Sequence, residues 1–79
     1  MLSLAYLETQ LPRAIRTKRG QRLATVADVQ EYMLALPNET AGTPHWQRTA
    51  QALLDHAEPL TVEKETRLCL FLSGDLVLG

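Results

Sequence analysis

The apolar positions of this chain fall into stretches with helical spacing, separated by proline and glycine. In the first, Leu4, Leu7 and Leu11 stand at i, i+3 and i+7, one face of a short helix over residues 2–11. Pro12 lacks an N–H and clashes with the preceding turn, so this helix is expected to stop near Gln10. Ala14 and Ile15 fit a second short turn begun by Pro12.

The next periodic stretch is the clearest. Thr25 is a good N-cap, and Asp28 three residues on suits both capping and the positive end of the helix dipole. Val26, Val29, Met33 and Leu36 follow as one stripe, and Pro37 and Asn38 end it. Residues 37–42 read as a polar loop. Thr43 then caps a third helix with Pro44 at its first position, where a missing N–H costs nothing. Its stripe is Trp46, Ala50, Leu53 and Ala57, and Pro59 closes it. The stripes of these two helices are expected to bury Val29, Met33, Leu36, Trp46, Ala50 and Leu53 against each other.

Thr61 caps a fourth segment with Glu63 and Glu65 in its first turn. Val62, Cys69, Leu72 and Leu76 fit a helical face, but the run Leu68–Leu72 is apolar all round. Such a run is a buried helix or a buried strand, and periodicity does not decide between them. Gly74-Asp75, between two apolar runs, also fits the turn of a hairpin over residues 67–78. The expected fold is mainly α: a small orthogonal or bundle-like domain of three to four helices, with room for a short hairpin at residues 15–24. The alternative is α+β with the C-terminal hairpin at 67–78.

Length and composition support a single domain over residues 1–79. Seventy-nine residues suffice for one small core, and a 46% hydrophobic content is that of a globule. Aromatic residues make up only 5%, so the core rests mainly on Leu, Val and Ala. The single cysteine, Cys69, allows no internal disulfide and no zinc finger. The residues after Met1 have no basic region before Glu8, so no signal peptide is expected. The apolar run Leu68–Leu72 is far short of a membrane span. These readings place the chain in the cytoplasm, off the membrane.

Charge is the most unusual feature. Arg13, Arg16, Lys18, Arg19 and Arg22 crowd into one segment without an acid, around Gly20. Elsewhere three cations face nine acids, and the formal net charge is −1. The segment reads as a turn flanked by a very short hairpin, or as a solvated loop whose cations complement Glu31, Glu39 or Glu58. It is also the candidate contact for an anion or a nucleic acid, since basic runs bind phosphates by releasing counterions. It holds no aromatic to stack on a base, and one glycine is no phosphate-cradling loop. A helix-turn-helix built from helices two and three has too long a connection, and its second helix opens on Trp46.

Catalytic chemistry is not expected. His45 and His56 are eleven residues apart on one helix, about 16 Å, too far to share a metal. Cys69 lies in the most apolar run, where a thiolate is disfavoured. No nucleophile elbow, zinc-protease motif or isolated carboxylate pair occurs. The expectation is therefore no catalytic residue, no metal and no cofactor. The best functional reading is a small interaction or regulatory module that docks to another protein or to itself. Leu72, Leu76 and Leu78 are the candidate seam of a homodimer. The alternative reading, less favoured by the net charge, is a nucleic-acid-binding accessory protein using residues 13–22.

Overall fold

The computed structural model describes residues 3–78. The elements run in the order α1 (Leu4–Leu7), β1 (Gln10–Arg16), β2 (Arg22–Thr25), α2 (Val26–Leu34), α3 (Asn38–Ala41), α4 (Pro44–Leu54) and α5 (Pro59–Leu72). Helix dominates, but the architecture is α+β: β1 and β2 form an antiparallel pair, and α5 lies between β1 and α4. The core joins Leu11, Ile15 and Leu23 of the hairpin to Val29 of α2, Trp46 of α4 and Leu70 of α5.

The first helix is much shorter than its leucine spacing predicts. It makes one turn, capped by the Ser3 hydroxyl, which accepts from the Tyr6 N–H at 3.2 Å. Leu4 is 70% exposed, whereas Leu11 and Ile15 are buried from a strand. The pairing partner decides the matter: Ile15 stands opposite Leu23 and Arg16 opposite Arg22, so the basic segment is a hairpin turning at Gly20, φ 91°. The short hairpin expected at 15–24 is present, and its first strand reaches back to Gln10.

That first strand is irregular. Gln10 pairs with Thr25 and Ile15 with Leu23, so β1 spends five steps where β2 spends two. The bulge contains Pro12, which has no N–H to offer a ladder. The burial pattern slips with it. Leu11 and Ile15 face the core, but Arg13, midway between them, is exposed. A regular strand would put all three on one face. The N–H of Arg13 finds its acceptor on α5, in the Glu63 Oε1 atom at 2.8 Å.

The second helix forms as its sequence predicts. The Thr25 hydroxyl accepts from the Asp28 N–H at 3.2 Å, and the Asp28 carboxylate accepts from the N–H groups of Ala24 and Thr25. The expected polar loop holds one helical turn, α3, whose Gly42 end leads into Thr43. Thr43 heads α4 without a side-chain cap, its hydroxyl donating instead to the Thr40 carbonyl at 2.6 Å. Of the facing stripes, Val29, Trp46 and Leu53 are buried, while Met33, Leu36 and Ala50 are half-buried.

Pro59 opens α5 rather than closing α4, and Thr61 lies inside that helix instead of capping it. Closure of α4 falls to His56 at φ 54°, with the Ala57 N–H donating to the Ala52 carbonyl at 2.9 Å. The hairpin alternative over 67–78 is overturned. α5 runs unbroken to Leu72, because Val62, Thr66, Cys69 and Leu70 lie on one buried helical face. Gly74, φ 74°, then turns the tail onto β1, not onto its own helix. The Val77 N–H donates to the Arg16 carbonyl at 3.1 Å, and the Lys18 N–H to the Asp75 carbonyl at 2.9 Å. Leu76 thereby forms a single antiparallel bridge with Thr17 at the hairpin tip.

Asp75 fixes this tail from a second side, where its Oδ2 atom accepts the Tyr32 hydroxyl at 2.6 Å. Burial, then the bond to Asp75 and its charge, push the Tyr32 phenol up to about 12, against a smaller opposing pull from Arg19. Folding therefore favours the protonated phenol. The stabilisation is complete below pH 10, the ordinary tyrosine value, and is lost as pH rises through about 12. The thermal midpoint is expected to fall across that window, and Tyr32→Phe to remove most of the fall. Melts at stepped alkaline pH, with tyrosinate absorbance recorded alongside, check both statements.

Candidate functional site

The groups with the most chemical potential sit in structural roles. Cys69 is fully buried; its Sγ atom lies 3.1 Å from the Thr49 hydroxyl and donates to the His45 carbonyl at 3.2 Å. Burial pushes this thiol above its ordinary value, with the Thr49 hydrogen bond opposing, so a thiolate is disfavoured. The ring of His45 lies 6.3 Å from that of Trp46 between centroids, and the ring of His56 lies 4.6 Å from that of Tyr6. His56 holds a backbone conformation usually given to glycine, and the Tyr6 contact, with the Tyr6 hydroxyl donating to the Ala57 carbonyl at 2.6 Å, braces that corner. Among the described residues no group of three potential ligands is placed to hold a metal ion.

The basic segment is different. Arg13, Arg16, Lys18, Arg19 and Arg22 are all exposed on the hairpin. None forms an ion pair: among the described residues the sole pair is Arg67–Glu63. Glu31, Glu39 and Glu58 form no direct ion pair with the hairpin cations, although Glu31 shares a cavity wall with Arg22. Arg16 and Arg22 even stand directly opposite across the strands, a like-charge pairing that costs stability.

Two residues of α5 that the sequence does not connect with the basic segment complete this region. Glu63, buried on α5, binds the Arg13 N–H through Oε1 and the Arg67 Nε through Oε2 at 2.8 Å. Arg67 in turn donates from Nη2 to the Ala14 carbonyl at 3.2 Å. The pair thus satisfies the backbone groups that the bulge leaves without a ladder partner. Its trace in the sequence is the glutamate four residues ahead of an arginine, a spacing common on exposed helices. Between β1, α5 and the tail lies a cleft of about 320 Å³ lined by Arg13, Ala14, Arg16, Arg67 and Val77.

Two apolar surfaces remain. One is a groove of about 270 Å³ between α2 and α4, with Met33, Leu36, Ala50 and Leu54 among its walls. The other is the outer face of α5 with the tail. Leu68, Phe71 and Leu72 stand there at i, i+3 and i+4, exposed by 44%, 59% and 58%, and Leu78 by 71%. Of the candidate seam residues, Leu72 and Leu78 lie on the surface, whereas Leu76 is half-buried and packs against the core. No helix is long and apolar enough to cross a membrane among the described residues. No protein-family model, curated protein or solved structure matches the chain.

Proposed function

We propose that this chain is a non-catalytic interaction module that pairs with a second copy of itself through the outer face of α5 and the tail. The reading rests on one observation: Leu68, Phe71, Leu72 and Leu78 are large, apolar and solvent-exposed on one short stretch. Grouped apolar side chains of this size mark binding surfaces in small domains. A second copy is the favoured occupant because the tail is an edge. The hydrogen bonds on either side of the Thr17–Leu76 bridge turn the Leu76 backbone groups away from β1. An open antiparallel edge is self-complementary across a two-fold axis, and closed two-fold dimers are the commonest assembly. The reading requires no cofactor, metal or nucleic acid, and it suits the cytoplasm, where Cys69 stays a thiol.

Light scattering on a sizing column at about 100 µM tests it. The expected mass is twice that of the monomer, over an interface burying roughly 1,200 Å² or more. Leu72→Glu combined with Leu78→Glu should halve the mass without unfolding the chain, since both side chains already face water. A monomeric parent protein would overturn the reading.

A further inference from the structure

We propose that the cleft between β1, α5 and the tail is a binding site for the phosphate group of a small phosphorylated ligand. The cleft meets the dimer seam at the tail, through Val77, but its arginines lie outside the seam residues and the proposal does not depend on dimerisation. Three arginines line the cleft, and among the described residues no carboxylate joins its lining. Arg13 is there because the β1 bulge swings it out of the core face that strand alternation would assign it. Its backbone is then held by Glu63. Arg16 arrives from the regular part of β1, where its like-charged neighbour Arg22 makes a bound anion favourable. Arg67 is fixed through Nε and Nη2 by Glu63 and Ala14, which leaves further N–H groups of its guanidinium uncommitted.

One buried carboxylate therefore fixes the Arg67 side chain and the Arg13 backbone together. Glu63 balances the charge of Arg67, while among the described residues Arg13 and Arg16 have no ion-pair partner. The Arg67 guanidinium, held this way, offers its remaining N–H groups to a tetrahedral oxyanion through paired hydrogen bonds. The exposed Arg13 and Arg16 side chains add charge and the same planar fork beside it. The class of ligand follows from what surrounds the cleft. No aromatic side chain lines it to stack a base, and the net charge of −1 works against approach of a long polyanion. A compact phosphate ester fits better than a nucleic-acid backbone.

Titration calorimetry with inorganic pyrophosphate at low ionic strength tests the site, with three variants of the full chain. Arg13→Gln/Arg16→Gln removes the two unpaired cleft arginines. Lys18→Gln/Arg19→Gln removes the same charge outside the cleft. Arg67→Lys keeps the charge but loses the planar fork. The expected result is saturable one-to-one binding, weakened about tenfold or more by the first pair. The second pair should change it less than about twofold, and Arg67→Lys should weaken it several-fold. Both glutamine pairs alter exposed side chains, so unchanged circular dichroism should accompany these results. Equal weakening by both glutamine pairs would show diffuse charge attraction and overturn the proposal. So would an absence of pyrophosphate binding, or tight duplex DNA binding that both pairs weaken alike.

Discussion

Glu63→Ala is expected to lower the unfolding free energy by about 2–4 kcal/mol. The buried carboxylate accepts the Arg13 N–H at 2.8 Å and the Arg67 Nε at 2.8 Å, so its loss orphans a backbone donor and a guanidinium together. The upper end of the range applies to fully buried pairs. The Arg67 side chain is 30% exposed and regains some water when its partner goes, which holds the cost below that limit. Glu63→Gln separates the two losses. An amide oxygen still accepts from Arg13, but its NH2 group offers nothing to Arg67, so a smaller cost is expected. Urea denaturation gives both differences, and amide exchange at Arg13 gives the local one, faster in Ala than in Gln. A stability change under about 0.5 kcal/mol in the alanine variant would mean that water replaces the carboxylate and that the bulge does not need α5.

Helices with local instructions were legible in the sequence; contacts made across the chain were not. The α2 start could be read because Thr25 and Asp28 satisfy backbone groups within four residues of themselves. The α4 start could be read because Pro44 is compatible with a first helical position whatever surrounds it. The first strand was not legible. Leu4, Leu7 and Leu11 have helical spacing, and only pairing with β2 and burial under α5 make residues 10–16 extended. Pro12 misled in the same way: it marks a bulge as readily as a helix end. Pro59 and Thr61 exchanged roles because α4 closes through a left-handed His56, a device with no glycine to announce it. The cleft shows the same limit more sharply. The hairpin cations stand out in composition, but Glu63 and Arg67 lie about fifty residues away and look like an ordinary helical pair. Only the fold brings them to the bulge.

The other large effect is expected at Trp46. This side chain is 1% exposed, packs 5.7 Å from Tyr32 between ring centroids, and joins α4 to the hairpin and α5 in one core. Trp46→Ala should cost about 3–5 kcal/mol, the lost transfer of a large ring plus the cavity it leaves. The neighbouring groove between α2 and α4 limits that cost, since walls already open on one side relax inward more easily than a sealed core. Trp46→Phe should be far milder. The Nε1 atom is buried without a partner in the structure, so phenylalanine removes an unsatisfied donor while keeping most of the apolar contact. The two terms have opposite sign and similar size, which puts the net change within about 1 kcal/mol of zero. Because Trp46 is the single tryptophan, denaturation is followed by far-ultraviolet circular dichroism rather than fluorescence. A phenylalanine variant as damaged as the alanine one would mean that Nε1 does have a partner, such as a buried water, and that the indole is held there by its N–H as well as by its shape.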